Sequence, residues 1–200
     1  MRLRLQTFGA VKVRSFRRFF PLLLILICAL PSVSFAAYFG NASRGAVDPS
    51  AATQASVAAT RAIALYIMAL AALEDNNRIE AIANFKSSSE LLFEAASRMR
   101  RVQFPREVAS HTLAGLLSPE EGRVLGHLAE ANRQRSPQNL QELYSLFALE
   151  TDALGKTIES IVVSVQMGNP FLDQHIGLRV ARYMTLASAV SRAFQSYTLR

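Results

Sequence analysis

The 200-residue sequence has no tryptophan, one cysteine and three histidines, and it places no acidic residue before position 37. The single thiol, Cys28, lies inside an apolar N-terminal block, so a chain that loses this block has no cysteine at all. Disulfides, thiolate zinc sites and a cysteine nucleophile are thereby excluded from the mature protein. The missing N-terminal acids explain the high pI of about 10.2. Six of the 22 basic residues (Arg2, Arg4, Lys12, Arg14, Arg17 and Arg18) precede position 37, which leaves 16 against 15 acidic residues in the remainder. The part that folds is nearly neutral. It lacks the field that draws proteins to phosphate backbones, and no nucleic-acid partner is expected.

Behind those cations stands Pro21–Leu30, ten apolar residues, and then Ser34-Phe35-Ala36 with small residues at the two positions a signal peptidase reads. A basic n-region, an apolar h-region and a small-residue break identify residues 1–36 as an export signal cleaved before Ala37. The apolar run is too short and too interrupted for a membrane anchor. Membrane contact is expected only through this segment if it stays attached. Ile27 before Cys28 is too large for a lipoprotein site. Arg17-Arg18-Phe19-Phe20 has only part of a twin-arginine pattern, and the strongly apolar h-region favours the general secretory route. The reading is therefore an exported protein, periplasmic or extracellular, from a bacterial source.

Residues 37–48 carry Gly40, Asn41, Ser43 and Gly45 without periodicity and read as a flexible lead-in. From 49 to 200 proline supplies the punctuation. Asp48-Pro49, Ser118-Pro119, Ser136-Pro137 and Asn169-Pro170 each pair a good N-cap with a residue that suits the first helical position. Ser118 with Glu121 has capping-box spacing, Asn77 precedes Glu80 by three, and a helix should end before Pro105. Five helices are predicted, near 49–74, 77–103, 119–134, 137–167 and 170–199, with a further short turn within 106–117.

In the fourth, Leu140, Tyr144, Phe147, Thr151, Leu154, Ile158, Ile161 and Val165 follow at steps of three and four; in the fifth, Ile176, Val180, Tyr183, Ala187, Val190, Phe194 and Tyr197 do the same. Charged residues should face away from these seams. The second has a thinner seam, Ile82, Phe85, Ser89, Leu92, Ala96 and Met99, while Ala62–Leu73 in the first shows no polar face. This predicts an all-α fold, a helical bundle of two antiparallel hairpins joined by a short crossover helix. The all-apolar first helix would be its centre. Thr151 and Ser89, if they face each other, would fix register, and Thr151→Val would leave stability unchanged or raised.

Leu65, Met68, Ala69, Ala72, Ala81, Phe85 and Ser88, with a turn at Glu74–Asn77, give Leu65–Leu92 a pattern that resembles one tetratricopeptide repeat. Phe93 stands where that family has proline, and there is no second copy, whereas a solenoid needs about three repeats. The resemblance implies a tight helical hairpin and no membership of the family.

Motifs for chemistry are absent. His111, His127 and His175 form no His-Glu-x-x-His and no repeated Glu-x-x-His. Gly155-Lys156-Thr157 lacks the earlier glycine of a phosphate loop, and no serine stands in Gly-x-Ser-x-Gly or Ser-x-x-Lys. No catalytic residue, metal ligand or cofactor is assigned. The expectation is a non-enzymatic protein that binds another protein at the edge of the first two helices, through Tyr66, Met68 and Phe93. The alternative is a carrier of a small ligand or of haem between helices, with Met68, Met99, Met167 and Met184 available as ligands.

Overall fold

The computed structural model describes residues 49–168 and 174–198. The segments expected to be an export signal (1–36) and a lead-in (37–48), and the expected cap at Asn169-Pro170, lie outside them. Among the described residues six helices follow one another: α1 (Pro49–Glu74), α2 (Arg78–Arg101), the single turn α3 (Arg106–Ala109), α4 (Pro119–Ala131), α5 (Leu140–Gln166) and α6 (Gln174–Thr198). There is no β-strand among the described residues, only an isolated bridge between Thr112 and Asn139. The protein is an all-helical bundle.

The caps explain where the helices begin. Asn77 accepts a hydrogen bond from the Glu80 amide at 3.3 Å and its own amide donates to the Glu80 carboxylate at 2.6 Å. Ser118 and Glu121 close a full capping box, at 3.2 Å and 2.9 Å. These two starts match the expected ones. The start of α5 does not. Asn139, rather than Ser136, caps it by accepting from the Glu142 amide at 3.0 Å. The reason lies in the preceding loop, where the Leu113 amide donates to the Gln138 carbonyl and the Leu140 amide to the His111 carbonyl, both at 3.0 Å. Those bonds hold 137–139 extended, and the buried Pro137 belongs to that loop.

Packing forms a row. The extensive contacts join α1 to α2, α2 to α5, α5 to α6, and α6 to α4. Ser88 donates to the Ala62 carbonyl at 2.7 Å, the rings of Tyr66 and Phe85 lie 5.8 Å apart, and Arg98 reaches Gln54, so α2 runs back along α1. Among the described helices α2 is the one extensive neighbour of the all-apolar first helix, which is therefore not at their centre. The centre is α2 with α5, where every member of the expected α5 seam is buried. In α6, Ile176, Val180, Tyr183, Val190 and Phe194 are buried, while Ala187 is half-buried. Full burial of each large side chain contributes about 1.5 to 3 kcal/mol, so these seams dominate the stability of the bundle.

Two features let α2 and α5 approach and lock. Gly155 has no side chain where the Phe93 ring sits, since a Cβ there would lie 2.9 Å from Phe93 Cε1. At the other end the Arg78 guanidinium donates from Nε to the Val165 carbonyl at 2.7 Å and from Nη2 to the Gln166 carbonyl at 3.1 Å. These are carbonyls that a helix end leaves without intrahelical partners.

Candidate interaction surface

The structure separates the three residues expected to bind a partner. Tyr66 is 4% exposed and packs on Phe85 in the α1–α2 interface. Burial pushes its phenol up to about 12, and it has no surface to offer a partner. Phe93 is half-buried, with its ring filling the space above Gly155. Both therefore hold helices together. Met68 is 51% exposed and is the one member of the three on the surface. An all-apolar run carries no sign of which flank is covered; contact with α2 decides it.

The exposed flank of α1 carries Val57, at 52% exposure, then Arg61, Ala64, Met68 and Ala71 at helical spacing. Within Gln54–Glu74 the most apolar 18-residue stretch is 44% buried, so part of a strongly apolar helix stays uncovered, at Val57 and Met68 above all. This helix is long and apolar enough to cross a membrane by length and composition alone. The fully apolar run Ala62–Leu73 is by itself too short for that. Upstream residues such as Val57, Ala58 and Ala59 extend it, with Thr60 and Arg61 interrupting. At the far end of the flank stand the exposed Glu74 and Asp75.

Sequence reasoning missed the buried charges. Glu150 and Glu121 are 2% and 8% exposed, although acids were expected to face away from the seams. Position 150 is one residue from the seam member Thr151, so it falls on the flank that α4 and α6 cover. There the Asn132 amide donates to one Glu150 oxygen, and the Arg179 guanidinium lies 3.6 Å from the other. A buried carboxylate persists only with such partners. Glu121 is paired with Arg192 in the same way, beyond its role in the capping box.

Thr151 and Ser89 do not bond to each other. Ser89 bonds back to the Lys86 carbonyl at 2.9 Å. Thr151 donates to the Phe147 carbonyl at 2.7 Å and lies 3.1 Å from the hydroxyl of Tyr183. Tyr183 stacks on Phe147 at 5.4 Å within a cluster that continues through Tyr144, Phe104 and Phe194. Burial pushes the Tyr183 and Tyr144 phenols well above their ordinary value, with the Glu150 charge adding to the effect at Tyr183 and the Tyr183 charge at Tyr144. The hydrogen bond between Tyr183 and Thr151 opposes it at Tyr183. The Tyr144 hydroxyl has no hydrogen-bond partner among the described residues.

The residues considered for a ligand or metal are scattered. His111 Nε2 lies 3.2 Å from Ser196 Oγ, His127 is exposed, and the His175 side chain is outside the described residues. Met99 is buried in the α2–α5 interface, while Met68 and Met167 are exposed on separate elements. Among the described residues no three His, Cys, Asp or Glu side chains converge as metal ligands. An open hollow of about 250 Å³ lies between α4 and the 113–117 and 136–138 segments, lined by Leu113, Leu117, Leu125 and Pro137. It has no charged lining residue. No family model, no curated protein and no solved structure matches the chain.

Proposed function

We propose that this chain is an exported, non-enzymatic helical protein whose work is to bind another protein molecule along the outer flank of α1. The observation that supports the reading is the half-exposed Val57 and Met68 on a helix whose apolar surface exceeds what α2 covers. Large apolar side chains left exposed along one flank of a helix are what a contact site presents. Export rests on the basic n-region, the h-region and the small residues before Ala37. In the architecture that goes with this reading, α1–α2 and α5–α6 are two antiparallel hairpins and α4 is the crossover between them. The contact surface then lies on the first hairpin, away from the crossover.

The test is crosslinking in the native host, followed by recovery of the protein from the exported fraction and identification of everything joined to it. The reading expects an N-terminus at Ala37 and a crosslinked species that Met68→Glu abolishes. A chain that keeps residues 1–36 in the cytosol overturns the export half. Crosslinks indifferent to Met68→Glu, or none at all, overturn the binding half. An intense haem absorption band in the purified protein would favour the carrier instead.

A further inference from the structure

We propose that the molecule bound on the outer flank of α1 is a second copy of this chain, with α1 packed antiparallel on α1 about a two-fold axis at Met68. The inference rests on the reading that this flank is the contact surface, and it names the partner. Its warrant is the symmetry of the flank itself. An isologous interface must be self-complementary, each residue on one side of the axis meeting its counterpart from the other side. Seven residues before Met68 stands Arg61, and seven after it stands Asp75, with Glu74 beside it. All three are exposed, and none has an ion-pair partner among the described residues.

At about 1.5 Å per residue, Arg61 and Asp75 are roughly 21 Å apart on one helix, so they do not meet within a chain. In the antiparallel pair each Arg61 faces the acidic end of the other copy, and the pairing occurs twice. Four residues before Met68 is Ala64 and three after it is Ala71, half-buried small side chains that let two backbones come close while the methionines meet on the axis.

Charge decides against the other occupants. Parallel pairing would set Arg61 against Arg61 and Asp75 against Asp75. An anionic membrane would attract Arg61 and repel Glu74 and Asp75. The antiparallel copy satisfies both ends of the flank.

The experiment is sedimentation velocity on the purified protein across a concentration series, with circular dichroism as the check on folding. The wild type should show a monomer–dimer equilibrium, and Met68→Glu should weaken it at least tenfold with the helical spectrum retained. Arg61→Glu alone should weaken it several-fold, and Arg61→Glu with Asp75→Arg should restore it. Because these charges are exposed, the swap stays informative even if Met68→Glu unfolds the chain. A protein that is monomeric at every concentration, or a dimer the swap does not rescue, overturns the proposal. A monomer that still loses its crosslinks in the host when Met68 is replaced leaves the binding reading standing and sinks only the second copy as the partner. If that monomer instead binds anionic vesicles through Met68, a lipid surface takes its place.

Discussion

The Phe93 ring lies directly over Gly155, close enough that Cε1 occupies the space a β-carbon at 155 would need. Adding a methyl there pushes α2 from α5 at the centre of the row. Gly155→Ala should lower stability by about 1–3 kcal/mol, the range for overpacking a tight interface. Phe93→Leu in the same chain should recover part of the loss. Urea denaturation of the two single variants and the double variant measures this. Equal and additive losses would mean the ring and the glycine do not meet.

Arg78 ends α5 from outside, across 87 positions of sequence. Removing it with Arg78→Ala leaves the Val165 and Gln166 carbonyls without that donor, and a loss of about 0.5–2 kcal/mol is expected from other helix-end interactions. Lysine should not replace it fully, because one ammonium cannot reproduce the planar fork that spans two carbonyls. Thermal unfolding of both variants checks the order wild type, then Lys, then Ala.

Two hydroxyls in the aromatic cluster should respond in opposite directions. Tyr144→Phe deletes a buried hydroxyl with no partner among the described residues, so stability should hold or rise by up to about 1 kcal/mol. Thr151→Val removes the neighbour of the Tyr183 hydroxyl and should cost about 1–3 kcal/mol, because a buried donor loses its acceptor. That reverses the expectation drawn from spacing alone. The contact with Tyr183 is invisible in a heptad pattern.

Alkaline titration has a definite sign. The Tyr66 phenol ionises near 10 in an unfolded chain and is pushed up to about 12 by burial in the fold. A raised folded value means the stabilisation is complete below pH 10 and drains away between pH 10 and 12. Two units correspond to about 3 kcal/mol from this residue. Tyr144 and Tyr183 are raised as well and act in the same direction. Tyrosinate absorbance and helical dichroism, followed together, should change in one step above pH 10. Phenolates that appear near pH 10 in a fully helical protein would contradict the buried positions.

The long seams were readable because α5 and α6 keep a single period, and the caps at Asn77 and Ser118 were readable because their bonds are local. What depended on distant segments was not. Ser136-Pro137 has the chemistry of a helix start and loses to Asn139, since backbone bonds from His111 and Leu113 commit the loop first. Tyr66 and Met68 are two residues apart in an apolar run and end on opposite fates. Only the placement of α2 divides them. Glu150 looked like a surface acid because its partners, Asn132 and Arg179, lie on other helices.

Among the described helices α1 leans on a single neighbour, and this sets an order of opening. α2 and α5 are each flanked on two sides, so their amides exchange with deuterium only when most of the structure comes apart. The first helix can peel away alone. Its amides should exchange earliest among the long helices, and whatever settles on its free flank should slow them most.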